Sequence, residues 1–543
     1  MRNLFYIGLL MAGLISPTFA GDKVGNGGDV VVCRNTVNEV TSIEALDIYE
    51  GRVRWTIELD LGDASLSPLQ KVELALSRLG RISSIRAERY LEKAKQFDAN
   101  ALFLDNTELP DISDSNHLIF PKGCKVEQII VQRTPHFSDD RRYLVSNDLW
   151  KQLDSTNKAA LILHEIIYEE ALEFGHQDSV PTRYFNAHLM SHRFETFTPK
   201  EMAAFFKTID FKKFDYQGFI YASSRLECHH QFIKEEMWPI QFFDNGMVVK
   251  SGCILSGSIE VQGQKANVAG FISFHDNGQP HSFMASSPDP QKPLMVRINE
   301  KDYAPYDGGE IQLYQDSSLK AVVLALDDKN GLVFESTNYS LNTVAVDNPW
   351  GKGSRPLTVI LYPNGGISSL IAIEPDRHYP KQIKGWGMSR GQRIYIRSNR
   401  VDFFSDETVK MATISYETPL TFTIDEHQLK FAGYVELYET GELKSGIFIA
   451  EPQKSFWGNT YFEKIAIPFL VGDQKTKFWL KKETNDWFEG RYIHFYPGYK
   501  VKQGMLAQSA TFKTTDGQTI VVQEGQIVSL DEQGRLLQGQ SEY

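Results

Sequence analysis

A seven-residue pattern of strand and turn recurs eight times in the C-terminal half of the chain, and it constrains the fold more than any other feature. Each repeat is an alternating strand that leads into a tight turn, as in Ile272–Gly278 and Val435–Gly441. Five of the eight repeats carry glycine at the seventh position, where a hairpin turn needs a positive φ. Spacings of 32 to 58 residues are typical of stacked units that cannot bury an apolar face alone. The repeats begin at Ile240, Ile272, Ile311, Val359, Val401, Val435, Ile493 and Val528.

The fourth position of the repeats is aromatic in six cases and histidine in one. If the hairpins stack in register, these side chains form a ladder along one surface. The ladder either packs against neighbouring connections or is an exposed strip that binds a partner. Asp531 takes this position in the last repeat, which suits a polar terminal cap. The candidate binding surface consists of Phe243, His275, Tyr314, Tyr362, Phe404, Tyr438 and Tyr496.

The repeats resemble the MORN-variant repeats of the antitoxin type. The shared features are a strand that ends in an aromatic residue, an Asn-Gly turn such as Asn277-Gly278, and a return strand such as Lys444-Ser-Gly446. The likeness covers about residues 240–540. It implies a β-hairpin array without catalysis. Glu407 and Tyr499 are expected to break the turn, and the long spacing predicts extra strands or loops between hairpins.

The N-terminal half carries helical patterns with start and stop signals. Ser67-Pro68 predicts the start of a helix that ends near Gly80, and an apolar stripe over Ala160–Phe174 predicts a second helix closed by Gly175. A further helix is predicted from Ser179 through Arg193. We therefore predict an α+β protein. An α-rich domain with a few strands spans about 21–230, and an antiparallel β-hairpin repeat array spans about 235–543.

Residues 1–20 are typical of a cleavable export signal. A short positive start precedes the apolar Leu4–Ile15, and Pro17–Ala20 ends in small residues, so cleavage is expected after Ala20. The alternative is an N-terminal membrane anchor, for which the apolar run is short. The segments Gly25–Cys33 and His164–Tyr168 also resemble uncharacterised exported proteins of predatory Gram-negative bacteria. We expect the protein in the periplasm, at the cell surface or secreted.

Four cysteines fit an oxidising compartment. Three pairings are possible, and we favour Cys33–Cys124 with Cys228–Cys253, because each bridge then stays within or beside one compositional region. The alternative is four unpaired buried thiols. No C-x-x-C spacing occurs, which argues against a zinc ribbon or a thioredoxin-like centre.

A degenerate metalloprotease motif is the strongest chemical lead. His164-Glu-Ile-Ile-Tyr168 matches His-Glu-x-x-His except at its last position. The chemistry needs imidazoles that hold zinc and a glutamate that activates water. One hypothesis is a zinc site of His164, His188 and His192, with Glu165 as the catalytic base. The other is a structural helix pair, in which His164 donates to a neighbouring backbone group or carboxylate.

Charge and the absence of other motifs narrow the function. The chain has 69 acidic and 57 basic residues, a net charge of −12, and no long basic run, so no nucleic-acid partner is expected. We expect a binding protein, not an enzyme. It would engage a protein or a cell-envelope polymer through the repeats, without an integral membrane segment after signal cleavage. The alternative is a metal-dependent hydrolase, with zinc as cofactor and the repeats as a targeting module.

Overall fold

The fold is described from a computed structural model of the chain. About 21% of it is helix and 45% is strand, which agrees with the α+β class. Two compact parts divide the chain, Met1–Val248 (the N-terminal part) and Val249–Tyr543 (the C-terminal part). The export signal and the expected domain boundary at 230–235 lie outside the described residues and stay predictions. The structure describes residues 28–110, 112, 120–137, 139–222, 240–289, 291–306, 309–325, 332–343, 357–372, 383–389, 392–415, 418–448, 453–454, 460–461, 465–472, 474–480 and 493–537.

The described α-helices all belong to the N-terminal part. They are α1 (Leu46–Val53), α2 (Pro68–Gly80), α3 (Ser84–Lys95), α4 (Phe97–Asn100), α5 (Asn147–Trp150), α6 (Ser155–Glu173), α7 (Val180–Leu189), α8 (Arg193–Thr196) and α9 (Pro199–Thr208). The strands of this part are β1 (Asp29–Arg34), β2 (Val40–Ala45), β3 (Ala101–Leu104), β4 (Cys124–Gln128), β5 (Ile130–Gln132), β6 (Tyr143–Ser146), β7 (Lys213–Tyr216), β8 (Phe219–Ala222) and β9 (Ile240–Phe242). Among the described residues, no helix combines the length and apolar character needed to cross a membrane.

Local sequence signals set several helix ends as predicted. Ser67 caps α2 through a capping box with Gln70, and proline fills the first helical position. The predicted stop of α6 is confirmed, because Gly175 follows that helix with φ +87°. The expected helix through Arg193 is wrong, since α7 ends at Leu189. The Ser191 hydroxyl donates to the His188 carbonyl there and satisfies an acceptor at the helix end.

Two small sheets accompany these helices. β1 lies between β2 and β4 with antiparallel pairing on both sides, and β6 lies between parallel β3 and antiparallel β5. Cys33 and Cys124 are directly opposite on β1 and β4 and form a disulfide, which confirms the predicted pairing. Cys253 is also disulfide-bonded. Its expected partner, Cys228, lies outside the described residues, so that pairing stays a prediction.

The C-terminal part is built from strands. They are β10 (Val249–Ser256), β11 (Ser258–Val261), β12 (Gln264–Phe274), β13 (Pro280–Ser286), β14 (Val296–Ile298), β15 (Lys301–Tyr303), β16 (Glu310–Leu313), β17 (Leu319–Leu324), β18 (Val333–Glu335), β19 (Tyr339–Thr343), β20 (Leu357–Leu361), β21 (Ile367–Ala372), β22 (Ile383–Ser389), β23 (Gln392–Phe403), β24 (Val409–Ile414), β25 (Leu420–Ile424), β26 (His427–Leu437), β27 (Leu443–Phe448), β28 (Gln453–Lys454), β29 (Thr460–Tyr461), β30 (Ile465–Val471), β31 (Gln474–Leu480), β32 (Ile493–Phe495), β33 (Val501–Leu506), β34 (Ala510–Lys513), β35 (Thr519–Val522) and β36 (Ile527–Ser529).

Hairpins of successive repeats pair side by side in one antiparallel ladder. Its order is β10, β12, β13, β16, β17, β20, β21, β23, β24, β26, β27, β32, β33 and β36. The expected extra strands are also present. They include β18, β19 and β22, which pair in sequence beside the first half of β23, and β25, which pairs with the first half of β26.

The repeat turns share one geometry. In all eight, the seventh residue has a positive φ, and its N–H donates to the carbonyl of the fourth residue. The expectation that Glu407 and Tyr499 break the turn is wrong, because they adopt φ +64° and +61° and keep the hydrogen bond. The turn therefore sets the backbone, and a non-glycine residue there accepts local strain.

Side chains at the fourth position of the repeats form hydrogen bonds that link neighbouring repeats. Tyr362 Oη donates to the carbonyl of Phe403, the third residue of the next repeat, at 2.7 Å. The same contact joins Tyr314 to Leu361, Tyr438 to Phe495 and Tyr496 to Leu530, and His275 Nε2 makes it to Leu313. Phe243 and Phe404 lack a hydroxyl group, and all seven predicted side chains are half-buried. The geometry therefore matches the packing interpretation, since the polar tips bond within the protein.

Removing one of these tyrosine hydroxyl groups tests whether its hydrogen bond stabilises the contact between repeats. Tyr362→Phe is expected to lower the free energy of unfolding by about 1 kcal/mol, because the Phe403 carbonyl loses its donor. Tyr395→Phe is the matched control, since the Tyr395 hydroxyl is exposed and has no hydrogen bond to the described residues. Denaturant unfolding of both variants measures the difference. Equal stability would contradict this stabilising role.

Candidate functional site

His164 lies in a closed polar cluster between three helices of the N-terminal part. Its Nδ1 donates to the carboxylate of Asp47 on α1, 3.0 Å from both oxygens, and Asn186 Nδ2 on α7 donates to the same carboxylate at 2.7 Å. Burial opposes the charged imidazole, but Asp47 outweighs it and raises the pKa of His164 to about 9. His164 is 1% exposed, so this His–Asp pair has no access to a substrate.

Glu165 is buried beside His164, and a backbone group already engages it. Its Oε1 accepts the N–H of Gly28, while its Oε2 has no hydrogen-bond partner in the described part of the chain. Burial raises the pKa of Glu165 to about 7. A Cβ at Gly28 would lie 2.6 Å from Leu161 Cδ2, so glycine permits the close approach of this backbone to α6. A perturbed carboxyl can mark an active site, but this one is fully buried.

The three predicted zinc ligands have separate partners. His188 Nδ1 donates to the Tyr184 carbonyl, and its Nε2 faces Arg193 Nη1 at 3.3 Å. Burial lowers the pKa of His188 to about 4. His192 is exposed and bonds Asp60 and Glu195. Because α7 ends at Leu189, the two histidines do not share a helix face, and the i, i+4 argument fails.

The donor set does not fit zinc. His164 Nε2 is the one ligand atom of the three imidazoles that is buried without a partner among the described residues. The guanidinium of Arg193 beside His188 would repel a cation. Across the described ranges, no three His, Cys, Asp or Glu side chains are placed to hold a metal ion together.

A polar cleft of about 580 Å³ opens among loops of the C-terminal part. Arg297 and Asn299 line it from the β14–β15 hairpin, and Thr337 and Asn338 line it from the β18–β19 turn. The remaining wall is formed by the turns of the fourth and fifth repeats, 364–366 and 405–407. The cleft thus joins two repeat turns to two inserted hairpins.

Hydrogen bonds between the loops fix the cleft walls. Asn338 Nδ2 donates to the Asp406 carbonyl at 2.8 Å, and Asn299 Nδ2 donates to Tyr339 Oη at 2.7 Å. Other polar groups there bond to no described residue, including the amide oxygens of Asn299 and Asn338 and the carboxylate of Glu407. Fixed walls with unused donors and acceptors are what a ligand with many hydroxyl or amide groups requires.

The sequence predicted a backbone or carboxylate acceptor for a structural His164, but it did not identify Asp47 as that acceptor and did not predict the cleft. Asp47 and Asn186 are 117 and 139 positions from the residues they contact, and no periodic signal links them. The cleft had a partial signal, since Glu407 stands where most repeats have glycine. From the sequence alone, that substitution predicts a broken turn and not a cleft.

Comparisons with protein-family models and with curated proteins supply no relative. No protein-family model matches the chain, and a search of curated proteins finds no match either. The resemblances to MORN-variant repeats and to exported proteins of predatory bacteria therefore stay expectations, and function is argued from the site.

Proposed function

We propose that this protein is an exported binding protein that engages a protein or a cell-envelope polymer through its repeat surface. The observation that supports this proposal is the cleft at the turns of the fourth and fifth repeats. Its walls are held by Asn338 and Asn299, and its unused polar groups face solvent. The MORN-variant resemblance agrees with the proposal, because it implies a β-hairpin array without catalysis.

Glu407 lines the cleft at a turn position where the positive φ favours glycine. A non-glycine residue at φ +64° costs about 1 kcal/mol relative to glycine. Strained positions persist where the side chain serves a purpose, and the Glu407 carboxylate has no partner among the described residues. We infer that this carboxylate serves the ligand.

Replacing Glu407 with glycine separates folding from binding. Glu407→Gly is expected to raise the free energy of unfolding by about 0.5–1 kcal/mol, because it relieves the positive φ. The same variant should retain less material from solubilised envelope fractions when the full chain is immobilised. Bound protein and polysaccharide would be quantified by mass spectrometry and sugar analysis.

Ser317→Gly is the matched control. Ser317 has the same turn position and φ +68° in the third repeat but does not line the cleft. It should gain stability and keep its binding. Equal retention by Glu407→Gly and the unsubstituted chain would remove the cleft from the proposal, and no retention by the unsubstituted chain would overturn the binding function.

The metal-dependent hydrolase gains no support from the geometry, because His164, His188 and His192 have separate partners. It stays a hypothesis from the sequence. One equivalent of zinc per purified chain, lost in His188→Ala, would restore it.

A further inference from the structure

The outward face of strand β22 carries three long side chains, and its inward face has two glycines between the buried Ile383 and Ser389. Lys384, Trp386 and Met388 alternate with Gly385 and Gly387. A Cβ at Gly385 would collide with the Ser340 carbonyl oxygen, and one at Gly387 would collide with Val409 Cγ2. The close packing inside therefore requires glycine. Over this stretch the half-buried Trp386 lies on the outward face, the opposite of the usual arrangement in an amphipathic strand.

Strand β23 places matching side chains on the same face. The antiparallel register sets Trp386 opposite Tyr395, Lys384 opposite Arg397, and Met388 opposite Arg393. The Arg393 guanidinium carbon lies 4.2 Å from the centre of the Trp386 ring. Tyr395 is 47% exposed. We call Lys384, Trp386, Arg393, Tyr395 and Arg397 the basic aromatic face.

The cations of this face have no anionic partner in the part of the chain that the structure describes. Lys384, Arg393 and Arg397 are exposed, and none of them forms an ion pair with a described residue. Like charges directly opposite on neighbouring strands destabilise a sheet, and Lys384 faces Arg397 in this way. An anion bound between them would remove the repulsion.

The surrounding sequence is basic although the whole chain is acidic. Residues 377–401 contain seven Lys or Arg and no Asp or Glu, in a chain with net charge −12. We therefore propose that the basic aromatic face binds an acidic polysaccharide. This inference rests on the proposed binding function and adds a second binding surface with its own partner class.

The spacing of the charged groups favours a polysaccharide. Arg393 and Arg397 are four residues apart on one strand, about 13 Å, with Tyr395 between them. This places a ring between two cations, as suits a polymer in which acidic groups are separated by sugar rings. Single-stranded nucleic acid instead requires a continuous cationic groove with successive stacking platforms, and this face offers one aromatic pair.

The test measures binding of the full chain to defined polymers at low salt. Polygalacturonate presents carboxylates, dextran sulfate presents sulfates, neutral dextran presents neither, and oligo(dT) represents nucleic acid. Binding to either acidic polysaccharide but not to dextran is expected, with affinity that falls as salt is added. The two acidic probes distinguish which anion the face prefers.

Variants assign the binding to the face. Lys384→Gln/Arg397→Gln is expected to weaken polysaccharide affinity about tenfold, while its melting temperature stays equal or rises because the repulsion is gone. Trp386→Ala should also weaken binding. Lys513→Gln is the matched control, since Lys513 is an exposed strand cation on β34, in a separate two-stranded sheet.

Two results would overturn this inference. One is unchanged polysaccharide affinity in a folded Lys384→Gln/Arg397→Gln chain, and the other is tighter binding of oligo(dT) that depends on the same residues. Either result leaves the proposed function standing, provided that the unsubstituted chain still retains envelope material. Loss of all envelope retention in the unsubstituted chain would overturn the proposed function itself.

Discussion

Replacing Glu170 with alanine is expected to lower the free energy of unfolding by about 3–5 kcal/mol. Glu170 Oε2 accepts from Arg86 Nε at 3.0 Å, and the same carboxylate accepts from Arg89 and from the Tyr90 hydroxyl. Arg86 is buried and packs 4.2 Å from the Phe206 ring centre. Without Glu170, the guanidinium of Arg86 would stay charged, and Asp215, at 3.6 Å, would be its one carboxylate partner among the described residues.

The pH dependence of the stability difference tests whether the charge of the Glu170 carboxylate causes it. Burial opposes its ionisation, but Arg86 and Arg89 outweigh burial and lower the pKa of Glu170 to about 2. A lowered pKa stabilises the folded state above the unfolded value of 4.5, and this contribution is lost as the pH falls towards 2. The stability difference between the unsubstituted chain and Glu170→Gln should therefore narrow below pH 4.5.

Glu173→Ala supplies the matched control, because Glu173 is an exposed carboxylate at the end of the same helix. Its effect should stay within about 0.5 kcal/mol. Urea unfolding at pH 7 compares the two variants. A Glu170→Ala cost as small as that of Glu173→Ala would mean that the network contributes no net stability.

Short-range sequence signals were sufficient to predict features that depend only on residues a few positions apart. The capping box of Ser67 and Gln70 and the positive φ of the repeat turns depend on residues a few positions apart. Period-two patterns also predicted the hairpins, because each strand buries one face. Such features do not require knowledge of the rest of the fold.

Features that depend on distant partners could not be predicted in this way. The hydroxyl of Tyr362 bonds a carbonyl 41 positions away, so its exposure depends on how the repeats stack. The end of α7 follows from the Ser191 hydroxyl and from the bridge of Ser191 to Leu59, and the period of the apolar residues does not reveal either contact. An error of a few residues at that helix end produced the false histidine pair.

The basic aromatic face was not predicted from the sequence, for a different reason. Its cations are separated by apolar and small residues, so no long uninterrupted basic run occurs. The net charge of −12 describes the whole chain and does not reveal a local excess of cations. The absence of any acid over 377–401 was the available signal. The strand register then brings Lys384 and Arg397 together, which the sequence alone does not do.

The pair of His164 and Asp47 predicts the opposite pH dependence to that of Glu170. Attraction by Asp47 outweighs burial and raises the pKa of His164 to about 9, from an ordinary value of 6.5. A raised histidine pKa stabilises the folded state fully below pH 6.5, and this contribution is lost as the pH rises through 9. At 1.36 kcal/mol per pKa unit, the full contribution is about 3 kcal/mol.

Asp47→Asn should therefore lower the free energy of unfolding by about 3 kcal/mol at pH 6 and by much less at pH 10. The amide introduced at position 47 would leave the buried imidazole without a counter-charge. The variant is therefore less stable only at pH values at which His164 is protonated in the unsubstituted protein. Asp98→Asn, an exposed acid at the start of α4, should cost under about 0.5 kcal/mol at both pH values. Urea unfolding across pH 6–10 follows the difference, and NMR of the imidazole reports its protonation. A deficit that stays constant with pH would show that Asp47 acts through packing and its Asn186 hydrogen bond, and that His164 is neutral in the folded protein.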